Sequence, residues 1–462
     1  MILSDKLEAV PGLGYTVGRM QLMSGPGRRM LRSLPYIEDD CVREMEFSHI
    51  AEVAAAMADA ENERAVSDLR LKLMQIDDIA GTIGTLSKGN VCNDVELFEV
   101  KRFSMLASSI SGLIGKLGIG FIKLPDLTAV VGILDPQHTN VPHFYIYDCY
   151  DERLAELRRR MKETAGDDAS ELLVKCMVIE DEVRERLSGE LKEHAQLLAE
   201  ALENCGLLDI AMAKAQLAAD LSLSRPRISE EMSMDITGFF NPQIEEALAS
   251  KGKRFQKVDV SLSQGATVVT GANMSGKSVL LKTLALCEAL FMFGFYVPAQ
   301  AATLPRVDDI LICIGDEQSE ISGLSSFASE MLRIDAIVRR AAGAEKLLVL
   351  IDEPARTTNP VEGKALVEAI VTALGEDSSI SVLTTHYGGV SAPCRRLRVR
   401  GFVENKDAGS VTARNVNDFL DYSLIEDESG DVPMEAMRIA RLLGVKDELI
   451  TLAEKFLGVP EG

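Results

Sequence analysis

The sequence predicts an α/β domain organised around a phosphate-binding loop and preceded by an all-α region. Apolar residues recur at helical spacing from Leu7 to about Leu127 and again in a long segment before Pro226. After Pro226, short apolar runs alternate with helical segments, which is typical of the buried strands of a parallel sheet. The octet GANMSGKS at 271–278 matches the pattern G-x-x-x-x-G-K-[ST] without deviation, so a phosphate loop is expected there.

The helical region contains a segment with the proportions of a lever. Between about Ala169 and Asn204, leucine and valine recur at four and seven spacing, which predicts one long helix of an antiparallel hairpin. At about 1.5 Å per residue, such a helix is roughly 50 Å long. The predicted domains are a helical core at 1–127, a helix hairpin at 128–225, the α/β domain at 226–420 and a carboxyl-terminal helical element at 421–462.

Composition and charge restrict the environment and the partners of the protein. A net charge of −22 disfavours a main role in sequence-independent nucleic-acid binding, because Lys and Arg must neutralise phosphates, although a local basic patch remains compatible. The amino terminus, MILSDKLEAV, lacks the features of a signal peptide, and the most apolar stretch, Ala285 to Leu304, is interrupted by Glu288 and Pro298. We therefore expect a cytoplasmic protein. The eight scattered cysteines predict free thiols.

The phosphate loop is expected to bind a nucleotide with Mg²⁺. A strand-like VVT precedes it and the helical segment VLLKTLALCEAL follows it. This strand–loop–helix order favours a phosphate loop over a glycine-rich turn that merely ends a strand. Lys277 would reach the β and γ phosphates, and Ser278 would hold Mg²⁺. The residues expected to surround the phosphates are Gly271, Ala272, Asn273, Met274, Ser275, Gly276, Lys277 and Ser278.

Two later strands supply candidate catalytic groups. The run KLLVLIDE predicts a buried strand that ends in Asp352, which would orient Mg²⁺, and Glu353, which would activate the attacking water. An acidic pair at the end of a strand is often structural, but its pairing with a phosphate loop favours catalysis. His386, in TTHY after the next strand, would sense the γ-phosphate through a hydrogen bond. On its own, a histidine in that position is more often a satisfied polar group.

These elements, in this order, resemble the MutS family of ABC-type ATPases. The resemblance is carried by TGANMSGKS, FYVPAQ at 295–300, GDEQSEISGLSSF at 315–327, LVLIDEPARTTNP and TTHY. More broadly, residues 27–53 resemble the start of the family's helical core domain, residues 150–204 its lever with a reduced clamp, and the segment from Met434 its dimerisation element. The resemblance implies an ABC-type ATP-hydrolysing domain that uses ATP and Mg²⁺ and works as a homodimer with composite sites.

The resemblance also assigns three individual residues. In the family, a serine of a signature loop crosses the dimer to contact the γ-phosphate held by the other subunit, and Ser325 matches that position. A loop with hydroxyls before a helix also offers donors to an anion. Asn273 falls at the family's phosphate-loop asparagine, and Phe255 matches an adenine-stacking residue.

The chain departs from the family pattern in one turn and in its extent. Where the family reads DE-x-G-R-G-T, Ala355 and Thr357 replace the two glycines, which bears on the geometry of the turn and the rate of hydrolysis. The family's mismatch-reading domains and a carboxyl-terminal nuclease domain are not expected in this sequence. GDEQS is closer to the non-mismatch-repair branch of the family. The TNPVEG variant and the short length are similar to MutS-like subunits that reactivate lysine 5,6-aminomutase.

Two functions share this predicted ATPase. One is a protein-remodelling or reactivating ATPase, which the acidic charge, the expected lack of a mismatch-reading domain and the reduced clamp favour slightly. The alternative is a DNA-binding ATPase that recognises mismatched or branched DNA in repair or recombination control. Two basic clusters support the alternative, although a solvated helix face and a charged edge strand explain them as well. These clusters are Arg158, Arg159, Arg160 and Lys162, and Arg395, Arg396, Arg398 and Arg400.

Overall fold

The computed structural model describes residues 1–141, 143–163, 167–272, 275–314, 326–376, 378–403, 419–427, 440–441 and 444–456. Helices fill the first half of the chain and an α/β arrangement follows, which confirms the coarse fold class predicted from the sequence. The ABC-type assignment and the domain boundaries stay predictions. Across the described part of the chain, no helix is both long and apolar enough to cross a membrane.

The helices of the first half follow one another through turns and through two longer connections, 118–127 and 135–151. Their ends agree with local sequence signals, as the longest early helix, α7, illustrates. The Asn93 side chain accepts from the Val95 and Glu96 amides at its start, and Gly118 ends it with a φ of 68°. The helices are α1 (Leu3–Lys6), α2 (Leu13–Gly18), α3 (Gly25–Arg32), α4 (Asp40–Ala58), α5 (Glu63–Leu73), α6 (Ala80–Ser87), α7 (Asp94–Leu117), α8 (Thr128–Leu134), α9 (Glu152–Glu163), α10 (Asp167–Lys192) and α11 (Ala195–Asp220).

The long helix predicted between Ala169 and Asn204 is wrong as a single element. The structure has α10 and α11 instead, separated at residues 193–194. The His194 amide donates to the Leu191 carbonyl at 2.9 Å, a three-residue closure that interrupts the α-helical ladder. Leu191 before this interruption and Ala195 and Leu198 after it are all buried. The apolar spacing therefore continues across the break and gives no sign of it.

The second half contains two sheets. A four-stranded sheet has the order β1-β5-β2-β3, and a six-stranded sheet has the order β10-β9-β4-β8-β7-β6. The larger sheet is parallel except for β10, which pairs antiparallel with β9. The strands are β1 (Arg227–Ser229), β2 (Ser233–Phe239), β3 (Val258–Ser263), β4 (Gly265–Thr270), β5 (Ala301–Pro305), β6 (Asp309–Cys313), β7 (Leu347–Ile351), β8 (Ile380–Thr385), β9 (Arg395–Phe402) and β10 (Leu420–Glu426).

The described residues of the second half contain five helices. They are α12 (Pro242–Ala249), α13 (Lys277–Met292), α14 (Ser326–Ala341), α15 (Pro360–Gly375) and α16 (Asp447–Phe456). The α13 side chains share one core with β7 and β8, and the α14 and α15 side chains share another with the same strands. Every residue of β7 is buried, as expected for a strand of a parallel sheet with helices on both faces. The carboxyl ends of β4, β7 and β8 therefore meet at one edge.

Two hydrophobic cores meet along the first half of the chain. One joins α4 to α11 around residues such as Leu69, Val100 and Leu187. The other includes Leu3 and Phe47 from the amino-terminal segment together with α13 and the strands of both sheets. The first residues of the chain are therefore packed against the α/β part, which places the phosphate-loop helix directly against the helical part.

Candidate functional site

The phosphate loop leaves the carboxyl end of β4, which lies between β8 and β9 in the larger sheet. Gly276 precedes α13 with a φ of 87°, a left-handed conformation that glycine adopts without steric cost. A β-carbon at Gly276 would lie 3.0 Å from the Tyr422 ring. Glycine is therefore required here for its backbone conformation and for the close approach of Tyr422.

Lys277 connects the phosphate loop to the acidic strand. Its ammonium is buried and donates to the carbonyl oxygens of Gly271, at 2.7 Å, and Ala272, at 3.1 Å. The same Nζ atom lies 3.2 Å from Oε1 of Glu353. Two motifs more than seventy positions apart in the sequence thus meet at one ammonium group, as predicted for a nucleotide site.

Asp352 and Glu353 are held by the neighbouring strand through Thr384. The Thr384 hydroxyl donates to Oδ1 of Asp352 at 2.6 Å and accepts from the Glu353 amide at 2.9 Å. Thr384 was not among the predicted site residues, although it belongs to the motif TTHY. Only the pairing of β7 with β8 brings this hydroxyl beside both acids.

Glu353 is surrounded by basic side chains. Besides Lys277, Nδ1 of His386 and the Arg356 guanidinium each lie 3.9 Å from Oε2 of Glu353. The Glu353 side chain is 16% exposed, so its charge and that of Lys277 interact in a partly desolvated edge of the sheet. The structure brings together Lys277, Asp352, Glu353 and His386, all of which were predicted as site residues. Arg356 was not among them.

A cavity of about 230 Å³ opens beside the phosphate loop. Its lining is mainly apolar and includes Phe239, Phe255, Val399 and Tyr422, together with Ser275 and Gly276 of the loop. Phe255, predicted from the resemblance to stack on adenine, therefore lies in this cavity. Tyr422 supplies a second aromatic ring that the sequence analysis missed, because nothing in the sequence near 422 marks it. Aromatic lining with a few polar groups is typical of a ligand pocket.

The loop also offers polar groups suited to phosphate and Mg²⁺. Within the described residues, the buried hydroxyl of Ser275 has no hydrogen-bond partner. Ser278 is the second residue of α13, so its hydroxyl lies at the helix start where anions bind. No group of three or more His, Cys, Asp or Glu side chains suited to a metal occurs in the described part of the chain. Magnesium held with a nucleotide uses one or two carboxylates plus phosphates, so Asp352 and Ser278 fit it.

Three predicted site residues lie outside the described residues. They are Asn273 and Met274 of the phosphate loop and Ser325 of the segment GDEQSEISGLSSF. The roles implied for Asn273 and Ser325 by the resemblance stay predictions.

A phosphate loop at the carboxyl edge of a parallel sheet, an aromatic cavity beside it and an acidic strand end opposite its lysine define the class of the domain. This is a phosphate-loop nucleotide-binding domain of the α/β kind.

Comparison with known proteins narrows this class to one family. Residues 267–458 match the family model described as MutS domain V, which is an ATPase domain. The chain therefore carries the ATPase region of the MutS family, as the sequence motifs predicted.

Curated relatives agree with that assignment. "Endonuclease MutS2" of Ligilactobacillus salivarius is 32% identical over 240 residues, which cover 52% of this chain and 29% of that protein. "Endonuclease MutS2" of Thermus thermophilus is 33% identical over 287 residues, covering 61% of this chain and 36% of that protein. "DNA mismatch repair protein MutS" of Azorhizobium caulinodans is 33% identical over 234 residues, which cover 48% of this chain and 25% of that protein. The chain thus spans well under half the length of these relatives.

Proposed function

We propose that the protein is a Mg²⁺-dependent ATPase of the MutS type that works as a homodimer and couples ATP binding and hydrolysis to movement of a macromolecular partner. The observation that carries this proposal is the meeting of Lys277, Asp352, Glu353 and His386 beside an aromatic cavity. A buried lysine, a partly buried carboxylate and a histidine at one sheet edge are the groups that phosphoryl transfer to water requires.

Each side chain has a distinct part in the proposed reaction. Lys277 and the loop amides orient the phosphates, and Ser278 with Asp352 would hold the metal. When bound, Mg²⁺ would neutralise charge on the phosphate oxygens. Glu353 takes a proton from the attacking water, and His386 hydrogen-bonds the γ-phosphate. Phe255 and Tyr422 provide the two aromatic surfaces available to a base.

The carboxyl-terminal helix α16 supports a dimer. Leu449, Leu452 and Phe456 recur at three and four spacing and are 61%, 53% and 89% exposed. Ile450 of the same helix is buried, so α16 is already packed on one side and leaves an apolar stripe on the other. A second copy of the chain would cover this stripe by a symmetric contact.

Mixing two inactive variants tests the composite site. In the proposed dimer, each site needs Lys277 of one subunit and Ser325 of its partner. Lys277→Ala and Ser325→Ala homodimers should both be slow, but a mixed dimer contains one site with both residues intact. A one-to-one mixture should regain about a quarter of the wild-type rate, because half of the dimers are mixed and one site in each is complete. No gain on mixing, under conditions that exchange subunits, would contradict the trans contribution of Ser325.

The end of the helix hairpin favours a protein as the partner. Leu173, Val174, Met177 and Val178 of α10 are between 50% and 60% exposed and lie next to one another on the helix surface. The opposite side of this helix segment is also apolar and buried, so α10 is apolar around most of its circumference there. Such a surface gains free energy by contact with another apolar surface, whereas a DNA backbone offers phosphates.

Three arginines of the two basic clusters form internal ion pairs. Arg158 lies 2.5 Å from Asp148 and 2.7 Å from Glu180, and it donates to the Ile146 carbonyl. Arg395 pairs with Glu426 at 2.6 Å, and Arg400 pairs with Asp421 at 3.2 Å. Both clusters therefore contribute less to a phosphate-binding surface than the sequence indicates.

DNA action remains the second candidate, and the names of the relatives favour it. The relatives are called "Endonuclease MutS2" and "DNA mismatch repair protein MutS", and this chain aligns with 25% to 36% of their length. Both candidate functions use the ATPase region, which residues 267–458 match.

Salt-dependent binding separates the candidates. The purified protein should bind neither duplex nor four-way-junction DNA at low salt, with or without ATP, because internal pairs neutralise part of its basic clusters and its net charge is −22. ATP-modulated binding that weakens steeply with added salt would overturn the protein-client proposal. In that case Arg159→Glu should weaken the binding, and Arg395→Glu would show whether the second cluster takes part.

A further inference from the structure

The turn after Glu353 adopts a backbone conformation that its residues do not favour. Glu353 has a φ of 45° and Ala355 a φ of 59°, both in the left-handed region. Side chains with a β-carbon are strained in that region, and such residues persist only where the surroundings hold them. Ala355 occupies one of the positions where the family pattern has glycine, so here the chain keeps the left-handed conformation without the residue that tolerates it.

Tyr387 contacts this turn from the neighbouring strand end. Its hydroxyl donates to the Ala355 carbonyl at 3.0 Å, in a position where both residues are buried. Its ring lies 4.2 Å, centroid to centroid, from the ring of His386. The Tyr387 amide in turn donates to the Thr385 hydroxyl at 3.0 Å. One side chain therefore touches both the turn that follows the proposed base and the proposed γ-phosphate sensor.

Gly363 of α15 makes the space for this contact. A β-carbon at Gly363 would lie 2.2 Å from the Tyr387 hydroxyl and 3.1 Å from the Ala355 carbonyl oxygen. No side chain fits there unless the phenol or the turn moves. The phenol is thus enclosed between α15 and the turn, and its hydroxyl has a fixed direction.

We propose that Tyr387 is a positioning residue for ATP hydrolysis, which holds the strained Glu353–Ala355 turn so that the Glu353 carboxylate stays beside Lys277. This inference rests on the proposed ATPase function. Loss of the hydroxyl lets the turn relax toward ordinary backbone angles, which displaces the carboxylate from the attacking water. Displacements of this kind act on the chemical step and leave nucleotide binding, which depends on the phosphate loop, unchanged.

Tyr387→Phe tests the proposal, because it removes the hydroxyl and keeps the ring. We expect kcat to fall by about tenfold to a hundredfold while the KM for ATP and the Kd for ADP stay within about twofold. Tyr150→Phe is the matched control, since the Tyr150 hydroxyl donates to the Ile133 carbonyl at the same 3.0 Å in the helical part. It should leave kcat unchanged.

A second substitution distinguishes positioning from a general structural role. In an Ala355→Gly background the left-handed turn is no longer strained, so Tyr387→Phe should lower kcat less than it does in the wild type. Gly363→Ala should reproduce the loss of kcat by displacing the phenol. Equal losses of kcat in both backgrounds, or parallel losses of kcat and nucleotide affinity, would contradict the positioning role.

The outcomes also separate this inference from the proposed function. If the wild type and Tyr387→Phe hydrolyse ATP equally fast while Glu353→Gln is slow, the ATPase stands and the role of Tyr387 is wrong. If the wild-type dimer hydrolyses no ATP, both proposals fall together.

Discussion

A buried lysine and an acid lie at each end of the phosphate-loop helix α13, but their surroundings differ. At its start, the Lys277 ammonium contacts two loop carbonyls and Glu353, and the basic side chains of Arg356 and His386 lie beside that carboxylate. At its far end, about 24 Å away, Lys214 of α11 donates to the carbonyls of Phe293, at 3.1 Å, and Gly294, at 3.0 Å. One lysine joins the phosphate loop to the acidic strand end, and the other closes a helix end.

The far end also contains a buried acid. Burial raises the pKa of Glu288 to about 8, although the nearby Arg43 opposes that shift. Within the described residues, neither carboxylate oxygen of Glu288 has a hydrogen-bond partner, and neither does Nε of Arg43. The Arg43 guanidinium lies over the Phe291 ring at 4.5 Å. This end therefore joins α13 to helices α4 and α11 through buried polar groups.

The comparison shows how the same residue types serve two purposes on one helix. Glu353 is partly exposed and surrounded by basic side chains, so its charge is available to a reaction. Glu288 is enclosed, so its protonation state contributes to stability instead. Matched substitutions at the two ends should therefore change different measurements.

The largest effect is expected at Lys277. Lys277→Ala removes the ammonium that meets the phosphates and should abolish tight ATP and ADP binding, a loss of at least about a hundredfold. Isothermal titration calorimetry measures it, with Lys282→Ala on the same helix as control. Unchanged affinity in Lys277→Ala would mean that the nucleotide binds elsewhere.

Glu353→Gln should come next. It keeps the size of the side chain and removes the base, so kcat should fall by about a hundredfold to ten-thousandfold while ATP still binds. Phosphate release measures the rate, and Glu362→Gln, on the exposed part of α15, serves as the control. Turnover equal to the wild type would remove the general-base role of Glu353.

Lys214→Met should affect stability and leave nucleotide affinity unchanged. It leaves the Phe293 and Gly294 carbonyls without their buried donor, which costs about 2–4 kcal/mol of the free energy of unfolding. Chemical denaturation measures this loss, and Lys282→Met is the matched control. A loss of ADP affinity without a loss of stability would show that the far end of α13 acts on the site.

Glu288→Gln should change how stability depends on pH. The folded state keeps the Glu288 proton up to about pH 8, whereas the unfolded chain releases it near 4.5. The stability contributed by the protonated acid is therefore fully present below pH 4.5 and is lost as pH rises toward about 8.

The glutamine variant cannot lose this proton, so its stability relative to the wild type should increase by up to about 1.4 kcal/mol per pH unit across that window. Urea unfolding at several pH values measures the difference between the two proteins. A difference that is constant with pH would show that Glu288 titrates alike in the folded and unfolded states.

Much of the site could be predicted because its motifs are local. Gly276, Lys277 and Ser278 are adjacent in the sequence, and the strand that ends at Asp352 is a continuous apolar run. Thr384, Tyr387 and Tyr422 were not predicted as site residues. Each of the three reaches the site through contacts with residues distant in the sequence. Such contacts leave no pattern in the sequence around the residue.

The sequence by itself determined the order of helices and strands, the phosphate loop and the acidic strand end, because spacing and residue type encode local backbone and burial. The tertiary structure decided the break between α10 and α11, the left-handed turn at Ala355 and the burial of Glu288 beside Arg43. The turn and the buried acid depend on contacts between residues far apart in the chain, whereas the helix break is a local three-residue closure at His194 that the apolar spacing does not reveal. A residue in an unfavourable conformation or a buried acid is stable only when its neighbours compensate for it, and folding alone assembles those neighbours.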